Sequence, residues 1–202
     1  MKRTNTKEII FKNVLSLFVK KEYDAVSVAQ IADETQIKAP SLYKHFKNKE
    51  DIFKSIVKLI DENKREKVKS LNMPFGNGEI IFEGFKNAKK DDIVKYATEM
   101  FLHWTKDEFS SDFRKLLMLE QYKNDEIKKL YDKYFVSGPI KFMTGIFSKF
   151  TDEKNAGALA IEFCGPLFML YSLYDVSKNK NQAVKKAQNH VLRFIERLQS
   201  ED

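Results

Sequence analysis

The sequence predicts an all-α chain: a small N-terminal three-helix unit with a helix-turn-helix, a long connecting helix, and a larger C-terminal helical domain. Its 202 residues hold only seven glycines and four prolines against many Lys, Glu, Leu, Ile and Phe, so helix formers abound and tight turns are few. Apolar residues recur three and four apart through most of the chain, the period of an amphipathic helix. Finally, the stretch 27–49, SVAQIADETQIKAPSLYKHFKNK, reads as two short helices on either side of a tight turn.

The first helix is expected over 7–20, where Ile10, Val14 and Leu17 with Phe11 and Phe18 form a wide apolar stripe. A turn through Lys21-Glu22-Tyr23-Asp24 leads to Ser27, whose hydroxyl can accept from the free amides of a new helix's opening turn. Val28, Ile31 and Ala32 then fall on one inner face. The helical pattern breaks at Glu34-Thr35-Gln36-Ile37, Ile37 plugs the joint, and the chain restarts at Lys38. So short a joint forces the two helices to cross steeply. In the second of them Leu42 and Phe46 point inward, which leaves Lys38, Ala39, Ser41, Lys44 and His45 outward, with Tyr43 at the edge. That face is short, polar and basic, and it suits the major groove of DNA flanked by phosphates.

The residues Ser27-Val28-Ala29-Gln30-Ile31-Ala32, Ile37, and the run from Ser41-Leu42-Tyr43-Lys44-His45-Phe46-Lys47-Asn48-Lys49 to Glu50-Asp51-Ile52 resemble the N-terminal domain of the tetracycline-repressor (TetR) family of bacterial transcription regulators. This chain departs from that pattern at Thr35-Gln36, where the family usually has Ala-Gly, at Lys38, and at Pro40. Gln36 must then take the left-handed backbone that glycine adopts cheaply, at a cost of ~1 kcal/mol. Pro40 is tolerated in a first helical turn, where its missing amide proton has no partner anyway. The resemblance implies a homodimer that binds an operator in double-stranded DNA and answers to a small-molecule inducer. It also implies that the helix over 49–69 connects the two domains, with Lys49 at its start against a phosphate.

The net charge of +7 sits in the same region: residues 1–70 carry 16 basic and 10 acidic side chains, whereas 71–202 carry 20 and 19. Lysines alone mark any solvated surface; beside a helix-turn-helix they become a footprint for a polyanion. In the connecting helix Ile52, Phe53, Ile56, Leu59 and Ile60 keep helical spacing for three turns before the charged Lys64-Arg65-Glu66-Lys67. Residues 71–92 hold three of the seven glycines and one proline, with a short amphipathic turn around Ile80, Ile81, Phe82 and Phe85. The expected division is therefore 1–48, 49–70 and 71–202.

Beyond that stretch helices are expected over 92–106, 111–122, 125–135, 139–149, 152–177 and 181–199, opening on acidic or Ser caps and separated by Asn, Gly or Pro. Leu159, Phe163, Leu167, Leu170 and Tyr174 line one of the last two, and Val184, Ala187, Val191, Phe194, Ile195 and Leu198 the other. Such a pair serves either as internal core or, as the resemblance implies, as half of a four-helix bundle with a second subunit. Pro166 should kink the longer helix by removing one hydrogen bond. An inducer site, expected among the central helices, would draw on Tyr96, Met100, His103, Trp104, Met118 and Tyr122, with Phe163 and Phe168 near the kink. The same aromatic stripe also reads as ordinary core. Glu99 and His103 stand four apart without a third ligand at a convincing spacing, so neither a metal nor any other cofactor is expected.

A composition of 43% hydrophobic and 32% charged residues is that of an ordinary soluble chain. No window approaches eighteen uninterrupted apolar residues and no secretory pattern opens the chain, so a cytoplasmic protein without membrane contact is expected. The single cysteine, Cys164, excludes an intramolecular disulfide. No phosphate loop, nucleophile elbow or His-Glu-x-x-His is present, which points away from an enzyme. The expected function is a homodimeric, DNA-binding repressor released by a largely apolar or aromatic ligand. A constitutive DNA-binding protein without a ligand, or a helical enzyme or partner-binding protein with a basic end, are the rival classes.

Overall fold

The computed structural model describes residues 6–71, 83, 89–149 and 151–200, and every element within them is an α-helix. In chain order these are α1 (Thr6–Lys21), α2 (Val28–Thr35), α3 (Ala39–Tyr43), α4 (Lys49–Ser70), α5 (Lys90–Thr105), α6 (Glu108–Glu120), α7 (Asp125–Phe135), α8 (Ser137–Phe147), α9 (Glu153–Val176) and α10 (Lys180–Ser200). The amphipathic turn expected around Ile80, Ile81, Phe82 and Phe85 lies outside the described residues. By contacts the chain divides into two units, Met1–Lys64 with Glu108–Lys129, and Arg65–Asp107 with Leu130–Asp202.

The first unit is built around α1. Phe11, Val14, Leu15, Leu17 and Phe18 are buried, as are Ile52, Phe53, Ile56 and Ile60 on α4. Phe53 sits at the centre, its ring 6.4 Å from Phe18, 5.2 Å from Tyr23 and 6.5 Å from Phe113. The last of these belongs to α6, which lies along α1 and buries Phe113, Leu116 and Leu117 completely. A three-helix head of fifty residues buries too little apolar surface to stand alone, and α4 and α6 supply the remainder.

The second unit gathers α8, α9 and α10 around Ile146, Phe147, Ala156, Ala160 and Phe194, with Met143, Leu159 and Phe163 packed against them. The small Ala156 and Ala160 on α9, and Ala183 and Ala187 on α10, let helix backbones approach closely. A second, aromatic layer runs from Trp104 on α5 to Phe135 at 4.9 Å and Tyr134 at 6.0 Å, while Phe101 stacks on Tyr171 at 5.3 Å. Lys67 and Glu99 close a 2.5 Å ion pair within this unit. The helix α9 continues through Pro166, whose ring lies on an exposed side. Three residues back, the Phe163 carbonyl receives a 2.9 Å hydrogen bond from His190 Nε2 on α10, in the region where proline disturbs the ladder.

Candidate DNA-binding interface and ligand-binding residues

The helix-turn-helix is assembled by local chemistry. The Ser27 hydroxyl accepts from the Gln30 amide at 3.2 Å while the Gln30 side chain accepts from the Ser27 amide at 2.8 Å, a complete capping box at the start of α2. At the other end Gln36 takes the left-handed conformation, φ 55° and ψ 29°. Its amide, and that of Ile37 at 3.0 Å, turn back onto the Ala32 carbonyl, which closes α2 in a Schellman-type turn. The cap at Ser27 and the left-handed backbone at Gln36 are as the sequence predicts, while α2 runs on through Thr35 rather than breaking at Glu34.

Lys38 precedes α3 in an extended conformation, and Pro40 occupies its first turn as expected. The helix is shorter than its apolar spacing suggests. It ends at Tyr43, with Lys44 and His45 in a turn whose amide at His45 returns to the Leu42 carbonyl at 3.0 Å. The physical reason is the next helix. Asn48 Oδ1 accepts from the Asp51 amide at 2.9 Å, and Asp51 accepts from the Lys47 amide at 3.1 Å, so the chain must leave α3 early to enter α4. Leu42 is buried and the Phe46 ring lies 5.9 Å from Phe11, which pins α3 inward on the expected side.

The opposite side carries the expected candidates. Lys38, Tyr43, Lys44 and His45 are exposed, as is Ser27 at the α2 cap, while Ala39 and Ser41 are half-buried between them. Tyr43, a large ring, is 57% exposed, which leaves its hydroxyl available to a phosphate. Lys49 is placed differently from its neighbours. Its ammonium donates to the Tyr23 carbonyl at 2.7 Å and the Asp24 carbonyl at 3.3 Å, and lies 4.4 Å from the Tyr23 ring centre. Tyr23 itself is buried against Phe18 and Phe53, and burial, with the nearby Glu50 carboxylate adding to it, raises its phenol pKa well above the ordinary value.

The residues expected to line an inducer site are dispersed. In the second unit Tyr96 and Met100 are half-buried on α5, His103 and Trp104 are buried there, and burial raises the Tyr96 phenol. His103 lies edge-on to Trp104 at 4.8 Å. Phe168 connects to the same aromatic layer through Tyr131 at 6.3 Å and Tyr171 at 6.4 Å, whereas Phe163 belongs to the separate Phe147, Phe194 and His190 cluster. Met118 and Tyr122 fall in the first unit, Met118 beside the buried Arg114, whose Nη1 donates to its sulfur at 3.3 Å, and Tyr122 at 89% exposure. Phe101, Tyr131, Tyr134, Phe135 and Tyr171 complete the layer and were not singled out in the sequence; helical spacing marks a face, not the rings that meet it. An open groove of about 430 Å³ lies elsewhere, along α10, between Lys186, Asn189, His190, Arg193, Phe194 and Arg197.

Among the described residues no group of three or more His, Cys, Asp or Glu side chains gathers to hold a metal, and Glu99, one of the two residues at suggestive spacing, is ion-paired to Lys67. The outer side of α9 is apolar and open: Ile161, Met169 and Val176 are 60%, 76% and 80% exposed. By length and composition alone, residues Lys154–Val176 would suffice to cross a membrane, with a mean hydropathy of 1.5 over eighteen residues.

Residues 10–56 match the model of the bacterial regulatory proteins, tetR family. The biofilm operon icaADBC HTH-type negative transcriptional regulator IcaR of Staphylococcus aureus is 29% identical over 136 residues, 63% of this chain and 70% of that protein. Among solved structures, a transcriptional regulator of the TerR/AcrR family from Aquifex aeolicus superposes with a TM-score of 0.62 at 18% identity, over 92% of this chain and 96% of that one. AibR in complex with isovaleryl coenzyme A and operator DNA gives 0.62 at 16% identity, over 91% and 96%. FadR from Bacillus subtilis in complex with stearoyl-CoA gives 0.56 at 18%, over 91% and 94%. At these identities the structural likenesses establish the fold.

Proposed function

We propose that this chain is a DNA-binding transcriptional regulator of the tetR family, a homodimeric cytoplasmic repressor that binds a palindromic operator and is released by a small, largely apolar ligand. One observation carries the DNA half: the outward side of α3 with the residues that flank it, Lys38, Lys44 and His45, is polar and basic, and it is held in place by the capping box and Schellman-type turn of α2 and by the buried Leu42 behind it. On this reading Lys38, Ala39, Lys44 and His45 face base edges, while Ser27, Ser41 and Tyr43 hold phosphates. Lys49 braces the head from behind, since its ammonium is already engaged by two carbonyl oxygens.

Dimerisation is supported by the open apolar side of α9, where Ile161, Met169 and Val176 stand exposed along one face. A second copy would cover it through α9 and α10, and two heads would then meet half-sites about one helical turn or a multiple apart. For the ligand, the aromatic layer around Trp104, with Tyr96, Met100, His103 and Phe168, offers ring edges and few charges. AibR and FadR, of the same fold, are solved with coenzyme A thioesters, so such thioesters of graded acyl length are the first probes.

DNase footprinting on genomic fragments from the source organism, at about 150 mM salt to suppress non-specific binding, tests the DNA reading. Two protected half-sites related by a dyad are expected; uniform or absent protection would reject it. A rise in melting temperature with one thioester, together with loss of the footprint, is expected of the ligand reading. No shift with any chain length would favour a constitutive DNA-binding protein whose second unit is filled by its own rings.

A further inference from the structure

The two ends of the helix-turn-helix meet at one residue. The chain enters α2 just after Tyr23, whose carbonyl accepts from the Val26 amide at 3.3 Å, and it leaves α3 for α4 at Lys49, whose ammonium returns to the same Tyr23 carbonyl at 2.7 Å. The amide of Tyr23 is engaged as well. It donates to Oε1 of Glu120, the last residue of α6, at 3.4 Å. Glu120 is 2% exposed, an unusual setting for a carboxylate, and its neighbour Lys123 reaches Glu22 at 3.0 Å. Glu22 has a positive φ of 66°, a conformation that a non-glycine residue keeps only where its surroundings hold it. At the opposite end of α6, Glu108 is ion-paired to Lys12.

We propose that Glu120 is a positioning residue for DNA reading: through the Tyr23 amide it fixes the turn from which both ends of the helix-turn-helix hang. The inference rests on the operator-binding reading above. The geometry makes α6 part of the head. The chain passes into this unit at Asp107 to Glu108 and out at Lys129 to Leu130 within α7, so α6 belongs to the same unit as the helix-turn-helix. Base-edge contacts require several side chains to reach their partners together, whereas non-specific binding needs only charge near phosphates. Loosening the Tyr23 turn therefore lowers the first and spares the second.

The test uses the full chain and three substitutions, Glu120→Ala, Glu120→Asp and Glu120→Gln, with fluorescence anisotropy on the selected operator duplex and on a random duplex of equal length. Gln keeps an oxygen at the same reach to accept from the Tyr23 amide, while Asp keeps the charge but is one methylene short. The expected result is an operator affinity reduced about tenfold for Ala and Asp, the scale of one ordinary hydrogen bond, with Gln within about twofold of the native chain. Affinity for random DNA should change by less than about twofold in all three. Should Ala fail to fold by circular dichroism, the contrast of Asp with Gln decides. An unchanged ratio of operator to random affinity in Asp, or equal loss in Gln and Asp, overturns the positioning role even if melting temperatures fall. A native chain that itself fails to prefer operator over random DNA overturns the operator-binding reading, and the positioning role with it.

Discussion

Replacing Lys49 by Met separates two roles that the sequence leaves superimposed. The resemblance at the start of the connecting helix puts this ammonium on a DNA phosphate, yet in the structure it lies on the carbonyl oxygens of Tyr23 and Asp24 and over the Tyr23 ring. Met retains most of the stem's packing and removes the charge. A hydrogen bond from a charged donor contributes about 1.5–3 kcal/mol. A cation over an aromatic ring adds about 0.5–1 kcal/mol at a partly exposed site. The 3.3 Å contact is long and Lys49 is only half-buried, so a net loss of about 2 kcal/mol is expected rather than the sum of the upper values. In urea, at fixed protein concentration and with a slope of about 2 kcal/mol/M, the unfolding midpoint should fall by about 1 M. The salt dependence of DNA binding should keep its slope. A slope reduced by about one, with the urea midpoint unmoved, would place the ammonium on a phosphate and refute the reasoning.

Three further outcomes are expected. Lys44→Ala should relax preference at a single base pair of each half-site, costing about 1–3 kcal/mol on the preferred base, as read by competition with single-substituted duplexes; equal loss on operator and random DNA would remove Lys44 from base reading. Met169→Glu, on the open side of α9, should shift sedimentation from dimer to monomer by raising the dissociation constant about a hundredfold or more, because a charge would be buried without a partner; an unchanged dimer would place the interface elsewhere. Burial pushes the Cys164 thiol from 9.0 up to about 11, so the folded chain keeps a proton that the unfolded chain releases. This contribution to stability is complete below pH 9 and is lost as pH rises towards 11. Iodoacetamide should accordingly label native protein more slowly than urea-unfolded protein at pH 9; equal rates would contradict the burial of the thiol.

What the sequence made legible was mainly what neighbouring residues decide among themselves. The cap at Ser27, the left-handed Gln36, Pro40 in a first turn, and the inward Leu42 and Phe46 all depend on partners within a few residues, and each has the expected structure. Other features depend on partners far along the chain. The apolar stripe of α6 shows that Phe113, Leu116 and Leu117 need covering, but nothing in its spacing says that α1 covers them. Leu15, fully buried on α1, stands four after Phe11 and three before Phe18, so the buried stripe is wider than the five residues named from the sequence. Lys49 looks like any basic residue at a helix start until the fold brings the Tyr23 carbonyl to it from 26 residues away. The candidate ligand residues divide in the same manner: Trp104, His103 and Phe168 join one aromatic layer, while Tyr122 stands in solvent.

The central claim is that the outward side of α2 and α3 reads a sequence in duplex DNA as part of a dimer. Selection from a random duplex pool by the purified protein, at about 150 mM salt and followed by sequencing, tests it most directly. An enriched inverted repeat, its half-sites about one helical turn or a multiple apart, is the predicted result. Retained duplexes without any shared sequence, from a protein shown to be folded and dimeric, would contradict it.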